Sequence, residues 1–111
     1  NPPILSVEDQ PIKLLDQGTT VLGMFCPLPF NTLGVYTNIK SFNLFCYTDG
    51  LSESLNDQQE EFGPDRIERI ISENKKLSPE QINEKILFEV DSFRKDNGYR
   101  DDVTLLTCKV K

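Results

Sequence analysis

Apolar positions follow two different rhythms along this chain, and the change comes near Glu53. Before it, short apolar runs are broken by turn-forming residues. Residues 4–7 and 12–15 predict two short strands joined by Glu8-Asp9-Gln10-Pro11, the composition of a hairpin or meander. Val21-Leu22-Gly23-Met24-Phe25 predicts a further strand, which Pro27 and Pro29 stop. Residues 33–37 and 42–48 predict another pair around Asn38-Ile39-Lys40-Ser41. The second of these is almost continuously apolar, as expected of a strand buried on both faces.

After Glu53 the period lengthens. Residues 55–61 are polar and acidic and read as a solvated loop. Pro64 then opens a helix with Ile67, Ile70 and Ile71 at helical spacing, ended by Asn74-Lys75-Lys76. Ser78-Pro79-Glu80-Gln81 supplies an N-cap, a first-turn proline and a capping-box glutamine for a second helix, with Ile82, Ile86, Val90 and Phe93 on one face. Asn97-Gly98 is the expected stop. Residues 103–110 predict the last strand. Strands, then two adjacent helices, then a strand indicate an α+β fold with antiparallel pairing rather than a doubly wound parallel sheet.

The length of 111 residues suits one domain. With 37% hydrophobic and 27% charged residues, the composition is that of a globular protein. A net charge of -6 leaves no basic stripe, so binding to nucleic acid or an anionic membrane surface is not expected. The most apolar window, residues 21–30, is broken by prolines and falls well short of the roughly 20 residues of a membrane span. Asn1-Pro2-Pro3 lacks the features of a signal peptide, so a cytoplasmic location is expected. Cys26, Cys46 and Cys108 form no Cys-x-x-Cys pair and are expected to be buried free thiols. There is no histidine, which excludes Ser-His and Cys-His nucleophiles within these residues.

The candidate chemistry is acidic. In Phe45-Cys46-Tyr47-Thr48-Asp49-Gly50-Leu51-Ser52-Glu53, an apolar strand ends in a carboxylate and a glycine that permits a sharp turn. Asp101-Asp102 stands against the last strand in a similar setting. Carboxylates fixed at strand ends suit a hard cation such as magnesium or manganese, but each pair also suits a plain turn. Glu53 is either an outer acceptor for such a site or an exposed helix start. A calcium loop around Asp96-Asn97-Gly98 fails, because Phe93 and Lys95 would occupy ligand positions and Thr104 the glutamate position. No phosphate-binding glycine loop is present.

Asn1-Pro2-Pro3-Ile4-Leu5, Leu22-Gly23, Tyr47-Thr48-Asp49-Gly50-Leu51-Ser52-Glu53, Phe62-Gly63 and Asp101-Asp102-Val103-Thr104-Leu105, in that order, resemble the C-terminal half of a metal-dependent PPM-type (type 2C-like) serine/threonine phosphatase domain. The closest likeness is to the bacterial branch with stage II sporulation protein E and the phosphatases that regulate stress sigma factors. It covers residues 1–111. The resemblance implies an antiparallel β-sandwich flanked by helices, present here in part, and a binuclear Mn2+ or Mg2+ centre. Asp49 and Asp101 correspond to metal ligands, with Gly50, Glu53 and Asp102 as candidates for the surrounding shell. It implies hydrolysis of phosphoserine or phosphothreonine on a signalling protein, in this branch often an anti-anti-sigma factor, with a sensor or receiver domain upstream.

The family's first half, with a metal-bridging aspartate and an Asp-x-x-Gly-His-Gly-like segment, has no counterpart in these residues. Ser41-Phe42 also stands where the branch usually has Gly-Asp, and Val21 where a proline is common. Isolated, the chain is therefore expected to be inactive and to bind metal weakly if at all, with unpaired strand edges inviting self-association. Two other readings remain: a degenerate phosphatase-like module that binds a regulatory partner, and an α+β binding domain whose aspartates only make turns.

Overall fold

A computed structural model describes residues 1–17 and 40–111. Four strands, β1 (Ile4–Ser6), β2 (Lys13–Leu14), β3 (Phe42–Tyr47) and β4 (Leu105–Val110), form an antiparallel sheet in the order β2-β1-β3-β4. The helices among the described residues are α1 (Asp49–Ser52), α2 (Pro64–Glu73) and α3 (Pro79–Arg94). The fold is thus α+β with antiparallel pairing, as the order of patterns predicts. The strands expected at residues 21–25 and 33–37, together with Cys26, lie outside the described residues.

Strand alternation explains where the core sits. The register places Ile4 opposite Phe45, and Phe45 opposite Thr107, so these residues share one face of the sheet. Ile4 and Phe45 on that face are buried with Ile67, Ile70 and Ile71 of α2 and Ile82, Ile86 and Val90 of α3. Burying each such side chain contributes about 2 kcal/mol. The neighbouring row, Leu5, Leu44 and Cys108, points the other way.

That opposite face corrects two expectations. Only Phe45 of β3 is buried, while Leu44 and Cys46 are half-buried, because α2 and α3 pack on one side of the sheet. On β4, Cys108 is exposed and Leu106 is 56% exposed. Cys46 and Cys108 are free thiols, but neither is buried as expected: Cys46 is half-buried and Cys108 exposed.

The helix ends follow local chemistry. Pro64 occupies the first turn of α2 behind Gly63, whose φ of 79° is a conformation that glycine adopts without strain. Asn74 closes α2, its amide donating to the Ile70 carbonyl at 2.7 Å. At α3 the capping box is complete: the Ser78 hydroxyl accepts from the Gln81 backbone N–H, and the Gln81 side chain accepts from the Ser78 N–H. The helix stops at Arg94, earlier than Asn97-Gly98, with Lys95 turning out of it at φ 54°. Asn97 instead reaches across to the loop after α1, donating to Asp57 at 3.1 Å.

Candidate functional site

Strand β3 carries Thr48 and Asp49 out of its C-terminal end, and α1 begins there. Where the sequence suggests a turn, four residues make one turn of helix. Fully buried Leu51, packed into the core, explains the inward winding. Ser54 closes the segment, its hydroxyl donating to the Gly50 carbonyl at 2.8 Å. The role of Gly50 also differs from the expected one. It is helical, so the absence of a side chain serves space: a Cβ there would lie 2.4 Å from the Asp102 carbonyl oxygen and 3.0 Å from that of Asp101.

The two acidic segments, far apart in sequence, therefore meet at one end of the sheet. The Thr48 N–H donates to the Thr104 carbonyl at 3.1 Å, extending the β3–β4 ladder past its last residue pair. The Thr48 hydroxyl donates to the Asp102 carbonyl at 3.1 Å and accepts from the Thr104 N–H at 2.9 Å. The structure places these backbones in contact. It leaves the side chains of Asp101 and Asp102 exposed, and that of Asp49 66% exposed.

The Asp49 and Asp101 carboxylates each have a local partner. Asn1 donates from its amide to Asp49 Oδ1 at 2.7 Å and also reaches the Ser52 hydroxyl at 3.2 Å. Asp101 Oδ1 accepts from the Asp102 N–H at 2.8 Å. Glu53 is exposed just beyond α1, its N–H capping the helix through the Asp49 carbonyl at 2.8 Å. The Tyr47 hydroxyl is pushed above its usual pKa by burial, then by the negative charges of Glu68 and Asp49.

A second set of contacts, absent from the sequence reading, ties residues 95–100, just before Asp101, to α3 and to the loop after α1. Asn56 Oδ1 accepts from the N–H groups of Gln58 and Glu60, which shapes residues 55–61 into a closed loop rather than a loose acidic run. Lys95 pairs with Asp57 at 3.2 Å, and Arg100 donates to Gln59 at 3.0 Å. Arg94 pairs with Asp91 at 2.9 Å and lies 4.1 Å from the centre of the Tyr99 ring. Tyr99 donates to the same Asp91 carboxylate at 2.9 Å. The asparagine in Leu55-Asn56-Asp57 was the available signal, since asparagine favours side-chain-closed turns.

Exposed aspartates are hard oxygen donors, so Asp49, Asp101 and Asp102 fit the preferences of magnesium or manganese in kind. In number they fall short. Among the described residues, no group of three or more Asp, Glu or Cys side chains is assembled to hold a metal ion. A polar cavity of about 330 Å3 lies at the opposite end of β3, lined by residues including Ser6, Asn43, Lys75 and Lys109, and does not involve Asp49. No helix among the described residues is long and apolar enough to cross a membrane.

Comparison with known proteins supplies what the geometry alone does not. No curated protein and no solved structure matches the chain. The family model described as "Stage II sporulation protein E (SpoIIE)" matches residues 1–111, a span that includes both acidic segments and the sheet end where they meet. The chain accordingly belongs to the Stage II sporulation protein E family, as a domain related to the PPM-type phosphatases.

Proposed function

We propose that these residues form the C-terminal part of a metal-dependent phosphatase domain that hydrolyses phosphoserine or phosphothreonine on a cytoplasmic bacterial signalling protein. An anti-anti-sigma factor is the proposed substrate type, and a sensor or receiver domain the proposed upstream partner. The observation that carries the reading is the meeting of Thr48 and Gly50, the residues on either side of Asp49, with the Asp101-Asp102 backbone at one sheet end. Family membership over all 111 residues supports the same chemistry.

In this reading Asp49 and Asp101 hold Mn2+ or Mg2+, with Asp102 and Glu53 close by. When bound, such ions supply positive charge for the phosphate oxygens and a water acidified for attack on phosphorus. The chain's own contribution is placement. The end of β3 fixes Asp49, Asn1 restrains its carboxylate, and the β3–β4 ladder sets the height of residues 101–104 beside it. The remaining ligands belong to other parts of the complete domain, so the isolated 111 residues have little activity.

The test is manganese-dependent hydrolysis of a phosphoserine peptide by the full protein. Asp49→Asn and Asp101→Asn should each reduce turnover at least a hundredfold while leaving the fold intact. Unchanged turnover in both would remove the metal role. A second reading, a phosphatase-like module that binds a regulatory partner without catalysis, is favoured by the lack of a grouped metal-ligand set among the described residues. It predicts no turnover by the full protein and undiminished partner binding in the two asparagine variants.

A further inference from the structure

Thr48 occupies the N-cap of α1, a position where a threonine hydroxyl ordinarily accepts from the backbone of its own helix. Here it makes no such bond. Instead it bridges to the other acidic segment, donating to the carbonyl of Asp102 and accepting from the N–H of Thr104. One hydroxyl thus bonds both ends of the Asp102-Val103-Thr104 segment, directly before Asp49 on one chain segment and directly after Asp101 on the other. The Thr48 N–H adds a third tie, to the Thr104 carbonyl. Gly50 allows the approach, the β3–β4 ladder sets the register up to Tyr47 and Leu105, and the Thr48 hydroxyl, its donor and acceptor both committed, holds the segment just beyond the ladder.

We infer that Thr48 is a positioning residue, whose side chain holds the segment after Asp101 against the end of β3 and so helps set where Asp49 and Asp101 stand as metal ligands. The inference rests on the reading of those two aspartates as metal ligands. Thr48 itself touches neither carboxylate, so its effect passes through the backbone. Valine in its place preserves the β-branched shape and removes both hydroxyl hydrogen bonds. Serine preserves the hydroxyl and removes only the methyl group.

The experiment measures Mn2+ affinity calorimetrically in the full protein for Thr48→Val, Thr48→Ser, Asp49→Asn and Asp101→Asn, with amide hydrogen exchange at Thr104 followed in parallel. Thr48→Val should weaken Mn2+ binding about tenfold, the worth of one or two net hydrogen bonds. It should also speed exchange of the Thr104 N–H, while Thr48→Ser should restore both to near the parent values. Thr48→Ala serves as the hydroxyl-free variant should valine prevent folding. If the hydroxyl-free variant binds Mn2+ as tightly as the parent while Asp49→Asn does not, the positioning role is wrong and the metal reading stands. Should serine bind as weakly as valine, the methyl group and not the clamp is responsible, and the inference is overturned. Full affinity in both asparagine variants would overturn the metal reading and the clamp with it.

Discussion

A single methyl group added at residue 50 would place a carbon 2.4 Å from a backbone oxygen of Asp102, a separation that real Cβ atoms do not tolerate. The usual effect of glycine to alanine within a helix is stabilising by up to about 1 kcal/mol. At Gly50 the sign should reverse, because the obstacle is backbone and cannot rotate away. Gly50→Ala is expected to destabilise the protein by about 1–3 kcal/mol, measured by chemical denaturation. A gain in stability would show that the two acidic segments are not in contact. The sequence identified glycine at this position but attached it to the wrong cause. Positive φ is a property of one residue, whereas close approach depends on a partner 52 positions away, and no local pattern encodes that distance.

Among the elements, α3 was the most legible and α1 the least. Ser78, Pro79 and Gln81 announce a helix start within four residues, and the capping box is made as those side chains dictate. Ser78→Ala should lower stability by about 1 kcal/mol in denaturant melts, with the loss partly recovered by Ser78→Asp. By contrast, α1 is one turn long and owes its existence to Leu51 entering the core, a tertiary event without periodicity. Strand β3 misled in another way. Its continuous apolar run implies two buried faces, yet α2 and α3 cover only the face that holds Phe45. The two aspartates were legible as candidates because each stands at a strand end. The contacts that hold the segment before Asp101 were not, because Arg94, Tyr99 and Asn97 carry no spacing signal.

On the scale of the whole molecule, the loop after α3 is held by charge rather than by burial. The Asp91 carboxyl lies below its ordinary value of 3.8, chiefly through the Tyr99 hydrogen bond and next through Arg94. A depressed carboxylate contributes stability that is present above its unfolded pKa and lost as pH falls through the folded one. As pH falls below 3.8 and through the lower folded pKa of Asp91, the hold on the Tyr99 segment should therefore be lost, detectable as a change in tyrosine fluorescence. Asp91→Asn should abolish that fluorescence change and leave the main acid unfolding transition in place. The contribution is modest, since Asp91 is largely solvated and its pairing is screened by water.

The pairing of β3 with β4 has a consequence in time as well as in space. Its register runs from Phe42 with Val110 to Tyr47 with Leu105, and α2 and α3 are threaded between the two strands in sequence. Closing so long a connection costs entropy before any rung is gained. Asp49 emerges from the ribosome early and waits for residues 101–110 before it has a neighbour. The acidic pair is consequently expected to come together only when the last strand docks, so a lesion that slows that docking should delay the site.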